Sequence, residues 1–119
     1  MPDLGRVLVV DDEEPLRRAI CRSLKKHGVD SVDVGSGEEA LAVLAAESIQ
    51  AVITDFRMPG TDGVKLTRMI LAMFPSVRVI GISSEGMKEE FMRAGAKAFL
   101  QKPFERDELL NALQDVPKS

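Results

Sequence analysis

The residues of this 119-residue chain best suited to chemistry stand at the ends of apolar runs. "VLVVDDEEP" carries Val7–Val10 straight into Asp11, Asp12, Glu13 and Glu14; "AVIT" ends on Asp55; "VRVIGI" ends on Ser83; and Lys102 follows "KAFL" two residues on. Like charges gathered at the end of a buried run repel one another and call for a positive partner, either a cation or a basic side chain. Three carboxylates suit a hard divalent cation: Mg²⁺ takes one or two carboxylates, some waters and a phosphate oxygen. An aspartate beside such a cation and an amine is equipped to accept a phosphoryl group, a transfer that needs mainly positioning and positive charge around the phosphoryl oxygens.

Each residue has a plainer reading when taken alone. "DDEE" is also the N-cap and acidic first turn of a helix, which the helix dipole favours, and Glu13 and Glu14 are read as that only. Asp55 could be a turn residue, although an unpaired charge ending a buried strand is costly. Lys102 could be a surface lysine before a proline, and Ser84 competes with Ser83 for any role.

The elements that must gather these residues follow from periodicity. Arg6–Val10 reads as a buried strand, β-branched and nearly continuous in apolarity. The spacing predicts a helix from about Glu13 to His27, with Leu16, Ile20 and Leu24 on one stripe, Pro15 in the first turn and Gly28 as its stop. Ser31–Val34 alternates with period two, as an edge strand with one wet face would. Ser36 and Glu39 form a capping-box pattern opening a second helix, with Ala40, Leu41, Leu44 and Ala45 inward. Ala51–Thr54 is the third strand. "MPGTDG" is turn chemistry, and Asp62 is the N-cap of a helix whose inward stripe is Leu66, Met69, Ile70 and Met73 and which Pro75 ends. Val77–Ile82 is the fourth strand, Met87–Arg93 a short helix ending at Gly95, Lys97–Leu100 the fifth strand and Arg106–Gln114 the last helix. Met69, Met73, Met87 and Met92 read as core filler and Cys21 as a small buried hydrophobe. His27, near a helix end, reads as a favourable contact with the helix dipole rather than a catalytic group.

Five βα units in succession predict an α/β domain: a doubly wound, five-stranded parallel sheet of order 2-1-3-4-5 between two helical layers, the flavodoxin-like (βα)5 arrangement. That order leaves strand two at an edge, in keeping with its alternation, and strand one in the centre, in keeping with its continuous apolar run. Ligands of such sheets sit beyond the carboxyl ends of the strands where the order reverses, here between strands one and three. Asp11, Asp12 and Asp55 converge there, and Ser83 and Lys102 arrive at the same edge.

The rest of the composition narrows the class. One domain spanning 1–119 is expected from the length. A net charge of −3 without a basic run disfavours nucleic acid as a partner. The single cysteine excludes an internal disulfide and fits a reducing compartment. No apolar run approaches the ~20 residues of a membrane span, and "MPDLGR" is no signal segment. A cytoplasmic domain without a membrane partner is expected.

Taken in register, "VDDEE", "DFRMPGTDG", "ISS" and "AGAKAFLQKPF" resemble the receiver domain of bacterial two-component response regulators along essentially the whole chain. The resemblance implies that Asp55 is the phosphoacceptor, charged by a sensor histidine kinase or a phosphotransfer protein. It implies that Asp11 and Asp12 hold Mg²⁺, or Mn²⁺ in its place, together with Asp55 and the backbone carbonyl of Arg57. It implies further that Ser83 is the switch hydroxyl, that Lys102 contacts the phosphoryl group, that Phe99 turns inward on activation, and that Pro103 follows a cis bond. The expected role is regulatory rather than enzymatic, with a homodimer or a downstream effector as output. No effector domain is expected within the 119 residues.

Two departures bear on that output. Only twelve positions separate Ser83 from Gly95, fewer than the resemblance leads one to expect, which predicts a stunted or reoriented fourth helix. Arg57 lies two residues after Asp55 and Glu85 two after Ser83, and the two are expected to pair at the mouth of the site. Three other readings are weighed against the receiver. A Mg²⁺-dependent phosphohydrolase resembling the haloacid dehalogenases would want an aspartate where Arg57 stands. A flavodoxin-like cofactor binder would want a phosphate cradle where "DDEEP" stands. A receiver-like module kept only for protein binding is disfavoured by the complete set of site residues, while the short fourth unit keeps it open.

Overall fold

A computed structural model describes residues 5–114 of the chain. Five strands, β1 (Arg6–Val10), β2 (Asp30–Val34), β3 (Ala51–Asp55), β4 (Arg78–Ser83) and β5 (Ala98–Gln101), alternate with five helices, α1 (Glu14–Lys26), α2 (Gly37–Ala46), α3 (Gly63–Met73), α4 (Lys88–Arg93) and α5 (Arg106–Gln114). The strands pair in parallel in the order β2-β1-β3-β4-β5. Val7 and Val9 pack into the core beneath α1 and α5, while Leu8 and Val10 pack into the opposite core beneath α2 and α3. A strand covered on both faces has no wet side, which is why β1 is apolar at every position from Val7 to Val10.

Local chemistry sets the helix ends. Glu39 donates its N–H to Ser36 Oγ at 3.2 Å, and its carboxylate reaches back to the N–H of Gly35 rather than of Ser36. Asp62 Oδ1 accepts the N–H of Lys65 at 2.8 Å, as the N-cap expectation required. Gly28, at φ +76°, turns the chain out of α1 in the left-handed conformation that glycine enters without steric cost. His27 Nδ1–H donates to the carbonyl of Ser23 at 3.0 Å.

Some inward faces differ from the expectation. Ala40 and Leu44 are buried and Leu41 is half-buried, but Ala45 is exposed. In α3, Leu66 and Ile70 are buried, whereas Met69 and Met73 are 43% and 59% exposed, and on α4 Met92 is 40% exposed. The true inward stripe of α3 runs through Gly63, Val64, Leu66, Thr67 and Ile70. Two of its members carry no apolar signal: Gly63 has no side chain, and Thr67 is buried only because its hydroxyl donates to Gly63 O at 2.8 Å. Apolarity alone therefore pointed to the flank of the helix. Met87 is half-buried, and so is Cys21, against the core beneath α1.

α4 spans six residues, the shortest helix among the described residues, as the short interval after Ser83 predicted. Phe91 is its sole buried residue and is fully enclosed.

Candidate functional site

The carboxyl ends of β1 and β3 lie side by side, Val10 pairing with Thr54. Asp11 follows directly on β1; its N–H donates to Val34 O at 3.2 Å, and its Oδ1 accepts the N–H of Glu13 at 2.8 Å. Asp55 is the last residue of β3 and is 7% exposed. Carboxylate oxygens of Asp11, Asp12 and Asp55 all lie within 4.8 Å of one another. Asp11 is wholly buried while Asp12 is exposed, so the cluster has a closed floor and an open side.

Lys102 closes the cluster from the β5 side. Its Nζ lies 3.3 Å from Asp11 Oδ2, 3.3 Å from Asp55 Oδ1 and 3.7 Å from Glu13 Oε1. Part of the positive partner that the acidic knot demanded is therefore this ammonium. It leaves three carboxylates against one cation, an oxygen-rich donor set with an open side, which fits a hard divalent ion. The Lys102–Pro103 peptide bond is cis.

Burial pushes the Asp11 carboxyl above the usual aspartate range, against the lowering effects of the Glu13 N–H and Lys102. Burial likewise raises Asp55, and the neighbouring charge of Asp11 raises it further, with Lys102 opposing both. Burial alone would lower Lys102, yet the two carboxylates hold it above the usual lysine range. A raised carboxyl costs stability in its charged form, and the cost is relieved as pH falls through the raised value. A raised lysine contributes stability that is present below the unfolded-state value and is lost only as pH rises through the folded one.

Lys102→Met is accordingly expected to lose about 2 kcal/mol at neutral pH, below the roughly 3–5 kcal/mol of a fully enclosed broken pair because the Asp12 side is open. The deficit should shrink in acid, where the two carboxyls take up protons. Denaturant unfolding at neutral and acidic pH measures it, and an equal loss at both would show that Lys102 acts through packing instead.

The remaining expected residues divide by placement. Ser83 is buried at the end of β4, where its Oγ accepts the N–H of Glu85 at 2.9 Å; Ser84 is exposed and contributes its carbonyl to Gln101 Nε2 at 2.8 Å. Ser83, on the strand, is thus the serine at the cluster's edge of the sheet. Phe99 is half-buried on the α4 side of β5, its ring 5.7 Å from that of Phe91. Arg57 and Glu85 pair across the mouth, with Arg57 Nη2 donating to Glu85 Oε1 at 3.0 Å and a second contact through Nε. The pairing therefore exists, between an exposed arginine and a half-buried glutamate. The sequence reading missed the contact of Glu13 with Lys102 and a guanidinium, that of Arg17, bound to the Asp11 carbonyl.

Comparison with known proteins places this geometry. Residues 7–114 match the family model described as the response regulator receiver domain. The chain belongs to this family. Among relatives, the response regulator protein FleR of Pseudomonas aeruginosa is 40% identical over 123 aligned residues, covering 97% of this chain and 26% of that protein. The crystal structure of FixJ-N superposes with a TM-score of 0.87 at 34% identity, covering 96% of this chain and 93% of that one. The response regulator TrrA of Thermotoga maritima, crystallised in complex with Mg²⁺–BeF, superposes with a TM-score of 0.86 at 27% identity, covering 92% of this chain and 96% of that one. This receiver domain spans about a quarter of the length of the curated relatives FleR and DctD. None of its described helices is long and apolar enough to cross a membrane.

Proposed function

We propose that this receiver domain signals by accepting a phosphoryl group on Asp55, delivered by a sensor histidine kinase or a phosphotransfer protein, and that the adduct changes the surface offered to an effector. The observation that carries the reading is the position of Lys102 Nζ, 3.3 Å from both Asp11 and Asp55 beside an acidic cluster with one open side.

Asp11, Asp12, Asp55 and the Arg57 carbonyl would hold Mg²⁺, which supplies positive charge for the phosphoryl oxygens. A carboxylate oxygen of Asp55 attacks phosphorus as the bond to the donor nitrogen breaks, and the donor imidazole leaves with the electron pair. Lys102 then exchanges part of its contact with Asp55 for the new phosphoryl oxygens. Ser83, whose oxygen accepts the Glu85 N–H, has a hydroxyl proton to donate to the adduct. Phe99 and the β4–α4 loop follow. A complete two-state switch would require ~5.5 kcal/mol of differential stabilisation, within reach of several charge-assisted bonds.

The reading includes no turnover of external substrates, since Arg57 occupies the place of a hydrolase's acid–base aspartate. The test is Mg²⁺-dependent uptake of one phosphoryl group from acetyl phosphate, read by intact mass. Steady hydrolysis of a generic phosphate ester without a stable adduct would favour the phosphohydrolase, and no uptake at all would leave the protein-binding module.

The Arg57–Glu85 pair stands where water must approach the acyl phosphate. Arg57→Ala and Glu85→Ala are expected to shorten its lifetime by no more than a few-fold, the range of an exposed ion pair. Timed loss of the phosphoryl mass measures this; lifetimes unchanged in both variants would remove the pair from any part in water access.

A further inference from the structure

Arg17 stands in the first turn of α1 and is largely enclosed, its side chain 17% exposed. Its Nε donates to Asp33 Oδ2 at 2.7 Å, and its Nη1 donates to the backbone carbonyl of Asp11 at 3.1 Å. Asp33 lies on the edge strand β2 and is held a second time by Arg18 Nε at 3.3 Å. One guanidinium thus ties the edge strand to the peptide that joins Asp11 to Asp12.

We infer that Arg17, anchored by Asp33, is a positioning residue for the cation ligands of the β1–α1 loop. The inference rests on the proposed reading that Asp11, Asp12 and Asp55 hold a divalent ion. Peptide units are planar, so fixing the units on either side of a residue fixes its orientation. The unit entering Asp11 is fixed by its N–H on Val34 O, and the unit leaving it by Arg17 on its carbonyl. The second unit carries the N–H of Asp12, so the same contact sets the direction in which Asp12 leaves the backbone. Asp12 is exposed, so its backbone direction does more than packing to aim its carboxylate. The planar guanidinium meets the carboxylate and the carbonyl through two separate nitrogens held in fixed geometry, whereas a lysine would have to serve both from a single nitrogen on a flexible stem.

Electrostatics alone predicts the opposite effect. A guanidinium near a cation site repels the cation, so removing it should tighten binding. A purely structural ion pair joining α1 to β2 would alter stability and leave the affinity of the folded protein unchanged. Positioning predicts weaker binding in a chain that still folds. Groups that orient metal ligands typically contribute ~10–100-fold in affinity.

The test is calorimetric titration of Mn²⁺ into the wild-type chain, Arg17→Ala and Arg17→Lys, each checked by thermal melting to be folded at the titration temperature. Both variants are expected to bind about tenfold more weakly. Arg17→Lys is decisive, because it keeps the charge and loses the fork, and it decides alone if Arg17→Ala does not fold. Unchanged or tighter binding in a folded Arg17→Lys overturns the inference while leaving the proposed function standing. A folded wild-type chain that binds no Mn²⁺ overturns both.

Discussion

Asp55→Asn is expected to abolish phosphoryl uptake from acetyl phosphate while leaving the fold intact. The carboxamide keeps the size and shape of the side chain but has no anionic oxygen to attack phosphorus. Asp11 cannot substitute: it is wholly buried at the floor, and its Oδ1 is taken by the Glu13 N–H. Stability should hold or rise, because burial and the charge of Asp11 both act against ionised Asp55. The substitution removes that repulsion and leaves Lys102 free to pair with Asp11. Intact-mass spectra taken with and without Mg²⁺ decide the matter. The wild type should gain one acid-labile, hydroxylamine-sensitive phosphoryl group only when the metal is present, and Asp55→Asn should gain none. A variant that still takes up the group with wild-type stoichiometry would place the nucleophile on another residue.

How much of this could be read from the chain depends on whether apolarity carried the signal. β1 was legible because both of its faces are buried, and so was the gathering of Asp11, Asp12, Asp55 and Lys102, because strand ends and strand order fix those positions whatever the rotamers. The choice of Ser83 over Ser84 needed the end of β4, one residue later than the apolar run alone gave. The α3 methionines misled because Gly63 and Thr67 occupy the inward stripe, one without a side chain and one satisfying its hydroxyl locally. Ala45 misled because alanine fits either face. The clamp of Arg17 on Asp33 was hidden for another reason: "SVDV" announces a wet face on β2 but not that α1 lies over it. A charged residue on the wet face of an edge strand, with arginines in the preceding helix, is the signal that would have found it. Phe91 was the remaining omission. Its signal was Gly81, a glycine in a strand interior, which commonly marks the close approach of another group.

Phe91→Ala is expected to destabilise the protein by about 3–5 kcal/mol, the range for truncating a fully buried phenylalanine. The ring lies directly over β4: a Cβ on Gly81 would come within 2.4 Å of it. It also meets Phe56 edge-on at 6.4 Å and Phe99 at 5.7 Å. The strand beneath carries no side chain at Gly81 that could swing into the vacated space, so the cavity term should be near its full value. α4 adds a second consequence. A six-residue helix has almost no stability of its own, and this one is anchored by a single buried side chain. Its amide protons should exchange with solvent far faster in the variant, well before the sheet opens. Gly81→Ala should destabilise by the opposite route, driving a methyl group into the same ring. Combined with Phe91→Ala it should cost less than the sum of the two, because the added methyl then occupies space the ring has left. Denaturant unfolding of the three variants measures the coupling, and strict additivity would show that the two residues do not share a cavity. Phe99 borders the same space, its ring packed against the one that holds α4 to the sheet. The short fourth helix is therefore held to the sheet through Phe91 alone among its side chains, and loosening that side chain should release α4 while the sheet stays closed.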